Sequence, residues 1–167
     1  MEIFIDNIMY IALISTILIS GFLFFKHPWN SYYGISNHDS SHNREIKLRA
    51  YERLIVFLER IEPVGMINRL ELHHLDVNVV HSMLIKNIVI EYEYNVSQQV
   101  YVSDDIWEMI SLVKNKIINN ISNSFNSLPK KSKTDHFVQI ILKTSKENNL
   151  IINHAKKSLK KELRSFL

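Results

Sequence analysis

The chain has no cysteine, and only three glycines and three prolines in 167 residues. Without cysteine there is no disulfide, no thiol nucleophile and no thiolate metal site; a reducing compartment suits such a chain, as does a periplasmic domain built without disulfides. Gly21, Gly34 and Gly65 are too scattered to form a phosphate-cradling loop or a dinucleotide fingerprint, and no His-Glu-x-x-His pattern is present to hold catalytic zinc. A dominant charge is missing as well. The formal net charge is +3 with mixed signs, far from the basic footprint of a dedicated nucleic-acid binder, so no nucleic-acid partner is expected. The abundance of Ile, Asn and Lys is the usage an AT-rich genome imposes, which makes the pI near 9.0 a weak guide to function.

What the chain does have is an uncharged run from Asn7 to Phe25. As a helix the run spans roughly 28 Å, close to the roughly 30 Å hydrocarbon core of a bilayer. Its Ile, Leu and Phe residues, at roughly −0.3 to −0.6 kcal/mol each, outweigh the roughly +3 kcal/mol of a mid-membrane carboxylate, and Asp6 sits only at the edge. A cleaved signal peptide would want a basic start and small residues before the cut, whereas Glu2 and Asp6 precede this run and Gly21-Phe22-Leu23-Phe24-Phe25 closes it. Residues 1–26 are therefore expected to be a transmembrane anchor that contacts the lipid bilayer through residues 3–25. Lys26, Arg44, Lys47, Arg49 and Arg53 all follow the run and no Lys or Arg precedes it, which places the amino terminus outside and the remainder in the cytoplasm, as a single-pass inner-membrane protein. Ala12, Thr16 and Ser20 share one face of this helix, where a second membrane helix could approach closely or lipid could simply pack.

Residues 27–43 read as a tether, with Pro28, Gly34 and a cluster of Ser, Asn and His, reaching roughly 20 to 25 Å as a coil. Trp29, Tyr32 and Tyr33 suit the interfacial belt. Residues 44–167 then read as an all-α bundle of about five helices. Ile46, Ala50, Leu54, Leu58 and Ile61 keep helical spacing, and that helix ends before Pro63 and Gly65. Asp76 can cap a second helix with Val77, Val80, Leu84, Ile88, Tyr92, Val96 and Gln99 in line. Ile90, Tyr92, Tyr94 and Val96 also alternate as a strand would, but only Met66 to Leu72 could pair with them, so helix is favoured. Ser103, followed by Asp104 and Asp105, starts a third helix buried through Ile106, Met109, Ile110, Val113, Ile117 and Ile121. After Leu128, Pro129 and three lysines, Phe137, Ile140 and Ile141 suggest a short fourth helix. Asn148 or Asn149 can then cap a fifth, striped by Ile152, Ala155, Leu159, Leu163 and Phe166.

His74 and His81 are an i, i+7 pair with Asp76 nearby and no third ligand, so ordinary surface histidine is the better reading; no metal and no cofactor is implied. Glu91 and Glu93 lie two apart and point in nearly opposite directions on a helix, which rules out a shared proton-transfer task. The last helix surrounds its stripe with Lys156, Lys157, Lys160, Lys161 and Arg164, a candidate contact for anionic lipid if the stripe is not docked on the other helices.

Tyr51-Glu52-Arg53-Leu54-Ile55-Val56-Phe57-Leu58-Glu59-Arg60-Ile61, with Asn95-Val96-Ser97-Gln98-Gln99-Val100-Tyr101-Val102-Ser103 and Trp107, resembles a family of uncharacterised Bacteroidota proteins. Over essentially the whole chain the resemblance implies an amino-terminal membrane helix and a helical cytoplasmic domain, and it supplies no reaction and no catalytic residues. The second of these segments is the joint between the second and third helices. Asn95, Gln98, Gln99, Tyr101 and Trp107 there are either structural or a polar recognition surface. The expected role is a non-catalytic adaptor or accessory subunit with a membrane-protein partner. The rivals are a peripheral lipid-sensing module and an enzyme whose groups, such as Glu59, Glu62, His73, His74 and Glu91, only the fold would gather.

Overall fold

The structure, a computed structural model, describes residues 37–166, with side chains from Ser41 to Ser165. The expected membrane span, with Ala12, Thr16 and Ser20, and the first part of the tether lie outside the described residues. The described residues form five α-helices: α1 Asn37–Arg60, α2 Pro63–Arg69, α3 Val77–Asn95, α4 Asp104–Asn126 and α5 Thr134–Phe166. Short 3-10 turns occupy Leu72–His74 and Val96–Tyr101, and there is no strand among the described residues. None of these helices is long and apolar enough to cross a membrane.

Helical periodicity explains the core. Ala50, Tyr51, Leu54, Phe57, Leu58 and Ile61 bury one face of α1; Val80, Leu84 and Ile88 do so on α3; Ile106, Ile110, Val113, Ile117 and Ile121 on α4. Two of the starts follow from local side-chain chemistry visible in the sequence. Asp76 accepts the Asn78 backbone N–H at 2.9 Å, and the Ser103 hydroxyl accepts that of Ile106 at 3.3 Å, each satisfying a donor the helix itself leaves free. The helix over Ile88 to Asn95 confirms the helical reading of that ambiguous stretch.

Four boundaries differ from expectation. The first helix starts at Asn37, inside the stretch read as tether. Pro63 does not only end α1: it opens α2, whose preceding residue Glu62 accepts the Gly65 N–H at 2.5 Å, because a proline in the first turn gives up a donor that had no partner there. The second helix closes at Asn95, so Gln98 and Gln99 belong to a separate 3-10 turn.

The expected fourth and fifth helices are one, Thr134–Phe166. The polar stretch between them continues the helix because its side chains find partners. Thr144 donates to the Ile141 carbonyl at 3.0 Å, Ser145 to that of Leu142 at 2.7 Å, and Asn148, which is 1% exposed, accepts from Asn120 of α4 at 2.7 Å. Asn148 is thus a core residue and no cap. α5 lies antiparallel along α4, and the turn joining them is made by Lys131 in the left-handed region at φ 67°.

Candidate functional site

The joint between α3 and α4 divides the five candidate residues. Asn95 and Gln98 face inward, at 7% and 6% exposure, while Gln99 is exposed and Tyr101 and Trp107 are half-buried. Asn95 donates to the Glu91 carbonyl at 2.7 Å, closing the last turn of α3, and Gln98 donates to the Ser97 hydroxyl at 3.0 Å. Trp107 stacks on Tyr92 with ring centroids 5.3 Å apart, and the Tyr92 hydroxyl pairs with Ser111 at 2.9 Å. Most of these side chains therefore hold the joint in shape.

Beside the exposed Ser97 and Gln99, the joint shows apolar side chains to the outside. Tyr94 is 71% exposed and Val100 72%, and Val96 is exposed between them. Tyr94 also rims a groove of about 600 Å³ between α1 and α3, with Val56, Arg49, Arg53 and Arg60 on the opposite wall. Arg53 donates to the Tyr94 carbonyl at 2.9 Å, and Arg60 pairs with Glu91 at 2.9 Å, so both helices are clamped across the groove floor. Sequence reasoning missed Tyr94 and Val100. The available signal for Tyr94 was its phase, since it does not fall on the buried line of Val80, Leu84 and Ile88; Val100, past the end of α3, had none.

Beneath the joint, Glu162 of α5 ties three elements together. It accepts the Tyr51 hydroxyl of α1 at 2.6 Å, the Ser103 backbone N–H at 2.9 Å and the Ser103 hydroxyl. Burial alone would raise its pKa, but the hydrogen bonds from Ser103 and Tyr51, with Lys47 nearby, win and hold the carboxyl below its ordinary value. Burial, then the bond and charge of Glu162, push the Tyr51 phenol in the other direction, well above its usual range.

Of the residues that an enzyme would need to gather, the three glutamates are engaged separately. Glu59 pairs with Lys156 of α5 at 2.6 Å, Glu91 with Arg60, Glu62 caps α2, and His73 meets Asn68 at 3.1 Å. His73 and His74 do line one hollow together, with Asp76 and Asp135. Among the described residues no group of three His, Asp or Glu side chains is placed to hold a metal ion. Of the five basic candidates on α5, Lys156 is committed to Glu59, while Lys157, Lys160, Lys161 and Arg164 are exposed.

His81 does not share a surface with His74. Its ring stacks on Phe125 at 4.1 Å and meets the edge of Phe137, and its Nε2 is sealed without a hydrogen-bond partner among the described residues. Burial lowers its pKa below 6.5. The unfolded chain then binds the proton more readily, so this contribution to stability is complete above about pH 6.5 and is lost as the pH falls below it. His81→Phe keeps the stack and removes the orphaned nitrogen. The variant should gain about 1 kcal/mol at neutral pH and show a smaller drop in urea midpoint between neutral and mildly acidic buffer. An unchanged drop would show that His81 is not the titrating group.

The sequence matches a family described as a family of unknown function, DUF7935, over residues 2–166. Comparison with curated proteins and with solved structures gives no match to either.

Proposed function

The chain belongs to the DUF7935 family, and we propose that it acts as a membrane-anchored, non-catalytic adaptor or accessory subunit of an inner-membrane protein complex. In this reading residues 3–25 sit in the bilayer, the amino terminus is outside, and the helical domain recruits a membrane-protein partner on the cytoplasmic side. The observation that carries it is the exposed apolar pair at the joint, Tyr94 at the end of α3 and Val100 on the turn after it, on a base fixed by Asn95, Gln98 and the Tyr92–Trp107 stack. An interface core needs apolar and aromatic side chains on a rigid base with a polar rim, and Gln99, Arg49, Arg53 and Glu52 supply that rim. The separate engagement of Glu59, Glu62 and Glu91 supports contact over chemistry.

The test is a photo-crosslinking residue placed at Val100 or Tyr94 of the full chain in its native membrane, with Lys146 on α5 as the control position. A single discrete protein adduct from the joint, absent from Lys146 and lost in a Tyr94→Asp, Val100→Asp background that keeps its thermal stability, is the expected result. The same adducts from all positions, or none from the joint, would sink the adaptor reading.

A further inference from the structure

The solvent side of α5 is basic over its second half. Lys157, Lys160, Lys161 and Arg164 are exposed there, and none has an ion-pair partner among the described residues. The sole carboxylate of this half of the helix, Glu162, is turned inward to Tyr51 and Ser103 and leaves the outer face uncompensated along its own length. From the neighbouring helices Asp105 shares a shallow groove with Lys161, and Glu59 is taken up by Lys156 beside the hollow of Lys157 and Lys160. Leu150, 65% exposed, and His154 border Lys157 and Lys160 in one surface hollow.

The fold also decides how this helix can meet a bilayer. Its apolar stripe, Ile152, Ala155 and Leu159, is buried against the other helices, at 2% exposure or less. An amphipathic helix that sinks its apolar face among acyl chains is therefore excluded while the domain is folded, and only contact through charge is left. We infer that the Lys157, Lys160, Lys161 and Arg164 face of α5 rests on an anionic lipid leaflet, held by charge without insertion.

The row extends roughly 10 Å along the helix, a line of point charges that suits a plane of headgroups. No aromatic side chain is interleaved with it to stack bases, as single-stranded nucleic acid would require. Few charges suffice when the domain is already held at the membrane, since tethering makes the second contact intramolecular. This last step rests on the anchor proposed above.

Absence of cysteine makes the experiment direct, because a single Asn153→Cys labels the lysine hollow and a single Ser82→Cys labels exposed α3 as a control. The labelled full chain is reconstituted into vesicles of phosphatidylcholine, with or without phosphatidylglycerol, carrying a headgroup quencher. Quenching at residue 153 that requires phosphatidylglycerol, falls with salt, exceeds that at residue 82, and weakens about fivefold for each Lys→Gln or Arg164→Gln change is expected. Equal quenching in neutral vesicles, equal quenching at both labels, or none at all would overturn the inference. Release by RNA at matched phosphate would also overturn it, in favour of a nucleic-acid occupant. Retention after an alkaline wash reports separately on the anchor. If the chain washes off, flotation with anionic but not neutral vesicles at low salt still supports the α5 face, and flotation with neither overturns it.

Discussion

Glu162→Ala should destabilise the helical domain by about 2 to 3 kcal/mol at neutral pH. The substitution removes the acceptor for the Tyr51 hydroxyl, in a residue that is 1% exposed, and for both the N–H and hydroxyl of Ser103. Ser103 is also the cap of α4, so the loss reaches the first turn of that helix. The sum stays well below three full charge-assisted bonds because Ser103 is exposed and water can replace part of what is lost. A carboxyl held below its ordinary 4.5 in the folded state stabilises the fold fully above that value, and this stabilisation disappears as the pH falls through the folded-state pKa. Glu162→Gln should therefore lose about 1 kcal/mol at neutral pH and converge with the parent in acid, below the folded-state pKa of Glu162. Urea denaturation of both variants at the two pH values measures this. A constant gap between Gln and parent across the range would show that the carboxylate charge is not what holds the three elements.

Much of the bundle was legible because its signals are local. A 3.6-residue period places Ala50, Leu54, Leu58 and Ile61 on one side of α1, and the caps Asp76 and Ser103 act within three residues of their own position. What failed to show were features settled at long range. Asn148 resembles a helix start until its partner Asn120 is known, and no pattern along the chain links them. Glu162 and Ser103 meet across a sequence separation of 59, so the tie under the joint was equally invisible. The joint itself was located from sequence, which left its polar residues either structural or a recognition surface; only the fold shows that Asn95 and Gln98 are the ones that hold it from within. The exposed apolar pair, Tyr94 and Val100, does not stand out in the sequence because exposure of an apolar side chain is decided by how the helices pack, and interface cores favour such side chains.

The other large effect is expected at the Asn120 and Asn148 pair, and its sign should reverse between single and double variants. Along α4 the residues Ile106, Ile110, Val113, Ile117, Asn120 and Ser124 alternate steps of four and three. Along α5 Ile141, Ser145, Asn148, Ile152, Ala155 and Leu159 do the same, so each asparagine occupies a seam position of a coiled-coil-like antiparallel pair. Asn148→Leu leaves the Asn120 amide facing an apolar contact and should lose about 2 kcal/mol. Replacing both by leucine removes the orphaned donor together with its acceptor and adds apolar burial, so stability should return to the parent level or exceed it, with a coupling of at least about 1 kcal/mol in the double-mutant cycle. A buried polar pair of this kind is retained for register. Without it, the apolar seam of α4 and α5 can slide by a heptad, and the double variant should unfold with a shallower denaturant slope even while its midpoint is high. Losses that simply add in the double variant would mean that the two side chains act independently, and an unchanged slope would remove register from the explanation of why the seam of α4 and α5 keeps this pair of amides.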